Sequence, residues 1–386
     1  MSMPLSHLRI ERTMTLTCPA ERLYAYATLI TRRSYLAGVI VLADTLRKHN
    51  SAYPLIVLYT PNLCPNAVKA LKLESSQSNI ILRQCDQLLP PENARIQLIA
   101  KRFEDTWTKL RVFEIFNFEA VCYLDADISV FNNPDSVFDK LSQLPKGWLG
   151  TTHCCVCNLD SDPWAPEEWR PENCAYTPLS HPSALSQPIQ PTAKSSRTYH
   201  LINSGMFLFR PSESLWESMM TAFNTTPMLS TFKFPDQDFL AFFFSGKWMA
   251  LGWQYNALKT MKYWHPNIWR DDKVVCLHYI VDKPWVKRVG DDGVAGYKGQ
   301  DGVTHGWWWD AYNAWEQDRI RNSNSGCEIV SLVRKGVAAP LGQAESWIDV
   351  EADPDMNAIG DGVQAFANNK FPPSFDNVVG TKEPRG

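Results

Sequence analysis

Two carboxylates two residues apart, Asp125 and Asp127, close the apolar run Val121-Cys122-Tyr123-Leu124-Asp125-Ala126-Asp127-Ile128. Alternate side chains of an extended segment share a face, so this spacing predicts that both acids point to one side. Two hard oxygen ligands on one face suit a divalent cation. A cation held by so few protein carboxylates keeps positions open for substrate phosphates. Taken alone, Asp-x-Asp describes equally well two solvated acids after a strand. His278 is polar within the apolar run Val274-Val275-Cys276-Leu277-His278-Tyr279. Its imidazole, added to the carboxylates, makes a mixed nitrogen and oxygen site that favours Mn²⁺, with Mg²⁺ as the alternative; by itself it reads as a satisfied core histidine. Lys283 opens Lys283-Pro284-Trp285. An ammonium there can meet negative charge developing on a phosphate leaving group, although an isolated lysine of this kind more often sits on the surface. Lys109 and Arg102, upstream of the acid pair, either add positive charge at the same pole or solvate a helix face.

Asn203-Ser204-Gly205 interrupts a strand-like run with an amide, a hydroxyl and a glycine. Glycine in a strand lets a ligand approach the backbone, or marks a bulge. Asp236-Gln237-Asp238 follows Pro235 and precedes apolar residues, the composition of an acidic helix start, where aspartate needs no further reason. The same place suits a carboxylate near an electrophilic sugar carbon. His153-Cys154-Cys155-Val156-Cys157, with Cys174 beyond, invites a zinc reading, but the paired Cys-x-x-Cys knuckles of structural zinc sites are missing, which favours plain buried thiols. Trp307, Trp308 and Trp309 read as core, and the glycines from Gly290 to Gly302 as a loop with only a weak phosphate signal.

The elements that must position these groups are visible as periodicities. Apolar runs at Tyr24–Ile30, Pro54–Tyr59, Asn79–Arg83 and Ala120–Leu124 read as strands. Between them, Ser34–Lys48 and Thr106–Phe116 carry helical stripes, the second through Leu110, Phe113 and Phe116. This alternation predicts a mainly parallel α/β sheet, which binds ligands beyond the carboxyl ends of its strands, where the acid pair falls. No Gly-x-Gly-x-x-Gly follows the first strand and there is no P-loop, which argues against a dinucleotide dehydrogenase or a nucleotide-triphosphate hydrolase. The 160–198 stretch, rich in Pro, Ser and charge, reads as an insertion away from the sheet. Residues 1–21 read as an N-terminal extension. From about residue 323 to 386 the chain thins to Gly, Ala, Pro and polar residues, predicting a loosely ordered tail.

The whole chain has 386 residues, 45% hydrophobic, with a formal net charge of −3. Near-neutral charge and the lack of a basic run disfavour nucleic acid or an anionic membrane as partner. No apolar stretch is long enough for a transmembrane span, and scattered cysteines fit a reducing cytosol.

The order of motifs resembles glycosyltransferase family 8: Ala27-Thr28-Leu29 with Ser34-Tyr35-Leu36, then Thr108-Lys109-Leu110, Tyr123-Leu124-Asp125-Ala126-Asp127, Asn203-Ser204-Gly205, Asp236-Gln237, Tyr255-Asn256, and His278-Tyr279 with Lys283-Pro284-Trp285. The resemblance spans residues 22–322. Within the family, Tyr263-Trp264-His265-Pro266, the cysteines before the insertion and the Trp-rich helix look nearer to galactinol synthase than to glycogenin.

That resemblance implies a single GT-A domain of Rossmann-like type and a retaining, Mn²⁺-dependent transfer of a hexose from UDP-glucose or UDP-galactose. Carried over by position, Asp125, Asp127 and His278 ligate the metal and Lys283 neutralises the departing diphosphate. Leu29, Thr31 and Tyr35 hold the uridine. Lys109, Asn203, Asp236 and Gln237 orient the donor sugar, with Arg102, Ala126 and Ser204 in the same donor site and Asp236 supporting an oxocarbenium-like transition state. The segment before Lys283, Tyr279-Ile280-Val281-Asp282, departs from the family: it is shorter, lacks the usual glycine, and sets an acid beside the diphosphate. The acceptor is a small polyol such as myo-inositol, a saccharide, or the chain itself through Tyr263, as in a glycogenin-like primer. A non-catalytic UDP-sugar-binding protein is the further alternative, and a homodimer is compatible with all three.

Overall fold

A computed structural model describes residues 23–91, 94, 101–162, 165–296, 298–322 and 324–342, the side chains of 101–104 excepted. Its central sheet grows from β1 (Tyr24–Ile30), which pairs in parallel with β2 (Leu55–Tyr59) on one side and β4 (Ala120–Leu124) on the other. β3 (Ile80–Gln84) extends it beyond β2. The runs YAYATLI, LIVLY and AVCYL have no polar alternation because both faces of these strands are covered, as in parallel sheets generally. β6 (Leu149–His153), β7 (Ile202–Phe209) and β8 (Trp248–Ala250) complete the order β3-β2-β1-β4-β7-β6-β8. Only β7 runs against its neighbours, so the sheet is mainly parallel, as expected.

One face carries α1 (Leu36–Lys48) and α2 (Pro65–Ser75), the latter opened by a proline whose missing N–H costs nothing at a first helical position. α6 (Gly302–Asn322) and α7 (Gly326–Arg334) pack outside them. The other face carries α3 (Glu213–Thr225) and α4 (Pro235–Phe243), with a 3-10 stretch, Lys101–Glu114, packed against both. That stretch was expected as an ordinary helix. Trp107, Leu110 and Phe113, all buried, recur every three residues, which matches three residues per turn. Phe116, read as part of the stripe, lies past its end and is 40% exposed.

The tail differs from expectation up to residue 342. α7 buries Ile329, Val330 and Val333, and Val337 follows them, so four apolar residues in an otherwise poor composition anchor this part onto α2 and α6. Residues 1–21 and 343–386 lie outside the described residues. The insertion is a chain of turns that nevertheless buries Cys174, Tyr176 and Ala184.

A small second sheet positions the site. β5 (Ile128–Val130) begins directly after Asp127 and pairs antiparallel with β10 (Cys276–His278), placing Ile128 opposite His278; β9 (Ala257–Leu258) flanks β10.

Candidate active site

Asp125 and Asp127 converge by a different route from strand alternation. β4 ends at Leu124, and the N–H of Ile128 donates to the carbonyl of Asp125 at 3.0 Å, closing a tight turn over Asp125–Ile128. The turn is pinned from both sides: Asp125 N–H donates to Gly205 O at 2.8 Å, and Tyr279 N–H donates to Asp127 O at 2.9 Å. His278 Nε2 lies 3.4 Å from Asp127 Oδ1 and 4.0 Å from Asp125 Oδ2.

The hydrogen-bond network fixes the histidine tautomer. Gly205 N–H donates to Asn203 Oδ1, so that atom is an acceptor; Asn256 Nδ2 donates to it at 2.9 Å and to Thr152 Oγ1 at 2.9 Å. The amide oxygen of Asn256 therefore faces His278 Nδ1 at 3.0 Å, which carries the proton. Nε2, on the other side of the ring, points toward the carboxylates, the orientation a metal-binding imidazole needs. Gly205 is required for this arrangement, since a Cβ there would collide with the imidazole ring.

Around this trio the charges interlock. Lys283 Nζ pairs with Asp127 and donates to Tyr279 O at 2.9 Å. Lys109 Nζ bridges Asp125 (2.9 Å) and Asp236 (2.6 Å), and Ser204 Oγ donates to Asp236 Oδ2 at 2.9 Å. Tyr123 OH donates to Asp125 at 3.0 Å. Burial pushes both carboxyls of the pair up. At Asp127 the Lys283 ammonium and His278 outweigh it and hold the group well below the usual carboxylate range, whereas at Asp125 burial outweighs Lys109 and the carboxyl stays above it. Burial alone would lower the Lys109 ammonium, but Asp125 and Asp236 reverse this and raise it.

These groups line one cleft of about 370 Å³, beyond the carboxyl ends of β1 and β4. The family model for glycosyl transferase family 8 matches residues 27–288. The chain belongs to glycosyltransferase family 8. Galactinol synthase 6 of Arabidopsis thaliana is 30% identical over 266 residues, covering 68% of this chain and 73% of that protein; galactinol synthase 4 of the same plant is 29% identical over 296 residues, covering 75% and 81%. Among solved structures, the galactosyltransferase LgtC with donor and acceptor sugar analogs aligns at TM-score 0.50 and 16% identity, covering 75% of this chain and 95% of that one. Within its family the chain stands nearer to the galactinol synthases, and it is a UDP-sugar-dependent glycosyltransferase with the GT-A fold.

The family 8 cleft collects Leu29, Thr31, Tyr35, Lys109, Asp125, Ala126, Asp127, Asn203, Ser204, Asp236, Gln237, His278 and Lys283. The Arg102 side chain lies outside the described residues. Asp236, open to the reading of a mere helix start, is 6% exposed and turned to Lys109 and Ser204; Asp238 instead reaches back to accept from the N–H groups of Lys233 and Phe234 ahead of the helix. The short segment before Lys283 reaches Asp127 through Val281, whose φ of 65° is the left-handed conformation that favours glycine. Asp282 does not leave its charge beside the acid pair: Lys259 Nζ meets it at 2.6 Å and His305 Nε2 lies 3.5 Å away.

Three features escaped the sequence reading. Lys259 and Asp301 line the far side of the cleft beside Tyr263, Asp105 accepts from Thr31 and Arg32 at its rim, and Asn256 sets the histidine tautomer. Asn256 sat in a quoted motif but had no partner until β9 and β10 were paired. None of the five glycines from Gly290 to Gly302 lines the cleft.

Proposed function

We propose that this family 8 enzyme moves a hexose from UDP-galactose or UDP-glucose to a hydroxyl of a small polyol, with retention at the anomeric carbon and with Mn²⁺ as its metal; myo-inositol is the first acceptor to test. The observation that carries the reading is the convergence of Asp125, Asp127 and Nε2 of His278 beside Lys283 and Asp236. Two carboxylates and one neutral imidazole are the donor set a Mn²⁺ ion accepts, so the residues present fit the metal the family implies. A metal held by these three residues would supply positive charge to a departing diphosphate. Lys283 adds a second positive charge to the leaving group. Leu29, Thr31 and Tyr35 bind the uridine. Lys109 pairs with Asp236, and Asp236 with Gln237 and Asn203 orients the hexose, the carboxylate facing positive charge as it develops at the sugar carbon. The incoming hydroxyl approaches from the Tyr263 and Lys259 side, on the face the diphosphate leaves. The free cysteines support a cytosolic setting, and among the described residues no helix is long and apolar enough to cross a membrane.

The test is UDP release from each UDP-hexose, with and without Mn²⁺ and with and without myo-inositol. Release that needs both Mn²⁺ and the polyol, and falls by about 10³-fold in Asp127→Ala, is expected. Turnover undiminished in Asp127→Ala would sink the proposal. Intact mass after incubation with UDP-glucose separates the self-glycosylating reading: no hexose increments are expected, and increments lost in Tyr263→Phe would replace the polyol by the chain itself.

A further inference from the structure

The cysteine cluster has a fourth member that no spacing rule announced. Cys155, Cys157, Cys174 and His265 place their ligand atoms within 4.8 Å of one another, and all four residues are buried. His265 Nε2 lies 3.2 Å from Cys155 Sγ, 3.3 Å from Cys157 Sγ and 3.7 Å from Cys174 Sγ. Zn–S and Zn–N bonds of normal length at tetrahedral angles set sulfur and nitrogen roughly 3.5 Å apart, the middle of this range. Ordinary packing does not account for the arrangement. One imidazole nitrogen has a single in-plane hydrogen-bonding position, so it can serve one thiol and not three. The cysteines are also free, so no disulfide draws these sulfurs together.

We propose that Cys155, Cys157, Cys174 and His265 bind a structural zinc ion. Four protein ligands close the coordination sphere, which is the pattern of a structural rather than a catalytic zinc. His153 and Cys154, neighbours in sequence, are outside the set: His153 Nε2 contacts the carbonyl of Ile189 at 2.6 Å. The Cys-x-Cys pair lies in the irregular segment just past β6. Cys174 ends a short 3-10 turn of the insertion, and His265 ends α5 (Met261–Trp264). The ion thus ties the insertion to α5, and Cys155, Tyr263 and Trp264 carry that tie into the wall of the cleft. The two sites also sort their metals, because thiolates select zinc whereas carboxylates and one imidazole suit manganese.

Elemental analysis of the full chain, purified under reducing conditions without chelator, is expected to give one zinc per chain. Asp127→Ala and Cys64→Ser should keep it, and Cys174→Ser and His265→Ala should lose it. Replacement of the zinc by Co²⁺ in the wild-type chain should give the thiolate charge-transfer and tetrahedral ligand-field bands of a sulfur-rich site, a readout independent of turnover and of whether the variants fold. Wild-type protein with neither zinc nor a cobalt–thiolate spectrum would overturn the proposal. So would zinc retained in full by Cys174→Ser, or a mass two protons lighter that maps to a disulfide among the three cysteines.

Discussion

Asp44, Glu74 and Arg319 are buried as deeply as Asp127, Asp236 and Lys109, yet only the second group faces a cleft. In the first, the Glu74 carboxylate accepts from Arg319 Nε (3.0 Å), Trp315 Nε1 (3.1 Å) and Ser78 Oγ (2.6 Å), while Asp44 meets Arg319 (3.1 Å), Arg47 (2.8 Å) and Lys48 (2.8 Å). The donors come from α1, α6 and Ser78, and the acceptors from α1 and α2, so the network joins those three helices. In the cleft, Asp125, Asp127 and Asp236 share the Lys109 and Lys283 ammonium groups, and the acid pair turns oxygens toward the His278 ring and the open cleft. Burial and charge are therefore shared by a strut and a cleft wall, and what separates them is whether the carboxylates are enclosed by helices or face space that a ligand can enter.

The comparison breaks most visibly at Arg319. Arg319→Met leaves the buried Glu74 carboxylate with neutral donors alone, and thermal and denaturant unfolding should show a loss of about 3–5 kcal/mol, with turnover per folded molecule unchanged. A fall in turnover without a fall in stability would merge the two clusters into one. Gly205→Ala should do the reverse. Its Cβ displaces the His278 ring at a cost of about 1–3 kcal/mol in stability, and turnover should drop by about 10²-fold, more than the stability loss explains; full activity would show that His278 need not sit where it does.

A third prediction concerns pH. Burial, with Lys259 beside it, pushes the His305 imidazole down to about 3. An unfolded histidine titrates near 6.5, so between those values the unfolded chain binds the extra proton. The stability that neutral His305 contributes is complete above pH 6.5 and is lost as pH falls toward 3. At pH 5.5 the loss is about 1.4 kcal/mol relative to neutral pH. His305→Gln should remove that part of the slope, and an unaltered slope would place the titration elsewhere.

The Asp125 side of the cleft was readable in short motifs because its groups sit at strand ends: Asp125 and Asp127 after β4, Asn203 to Gly205 in β7, His278 at the end of β10. Local composition marks such places, since a polar residue in an apolar strand stands out. Even so, the reason the acids converge was misread, as a turn brings them together and not strand alternation. The far wall was not readable. Lys259, Asp301 and His305 look like ordinary loop and helix residues until β9 meets β10 and α6 folds back, and His265 stands 91 residues from Cys174. The Arg319 strut was hidden likewise, its partners lying 245 and 275 residues away on helix faces where charge is commonplace. The packed start of the tail was missed because four apolar residues spaced along a polar segment do not register as composition.

The proposed function turns on Asp125, Asp127 and His278 acting as a metal-dependent clamp on the donor diphosphate. Calorimetric titration of UDP into the wild-type chain and into Asp127→Asn, each with and without Mn²⁺, tests it most directly. Mn²⁺ is expected to tighten UDP binding to the wild type by at least about 10-fold, some 1.4 kcal/mol, with little or no tightening in Asp127→Asn. UDP affinity indifferent to Mn²⁺ in the wild type, or equally enhanced by it in the variant, would contradict the claim.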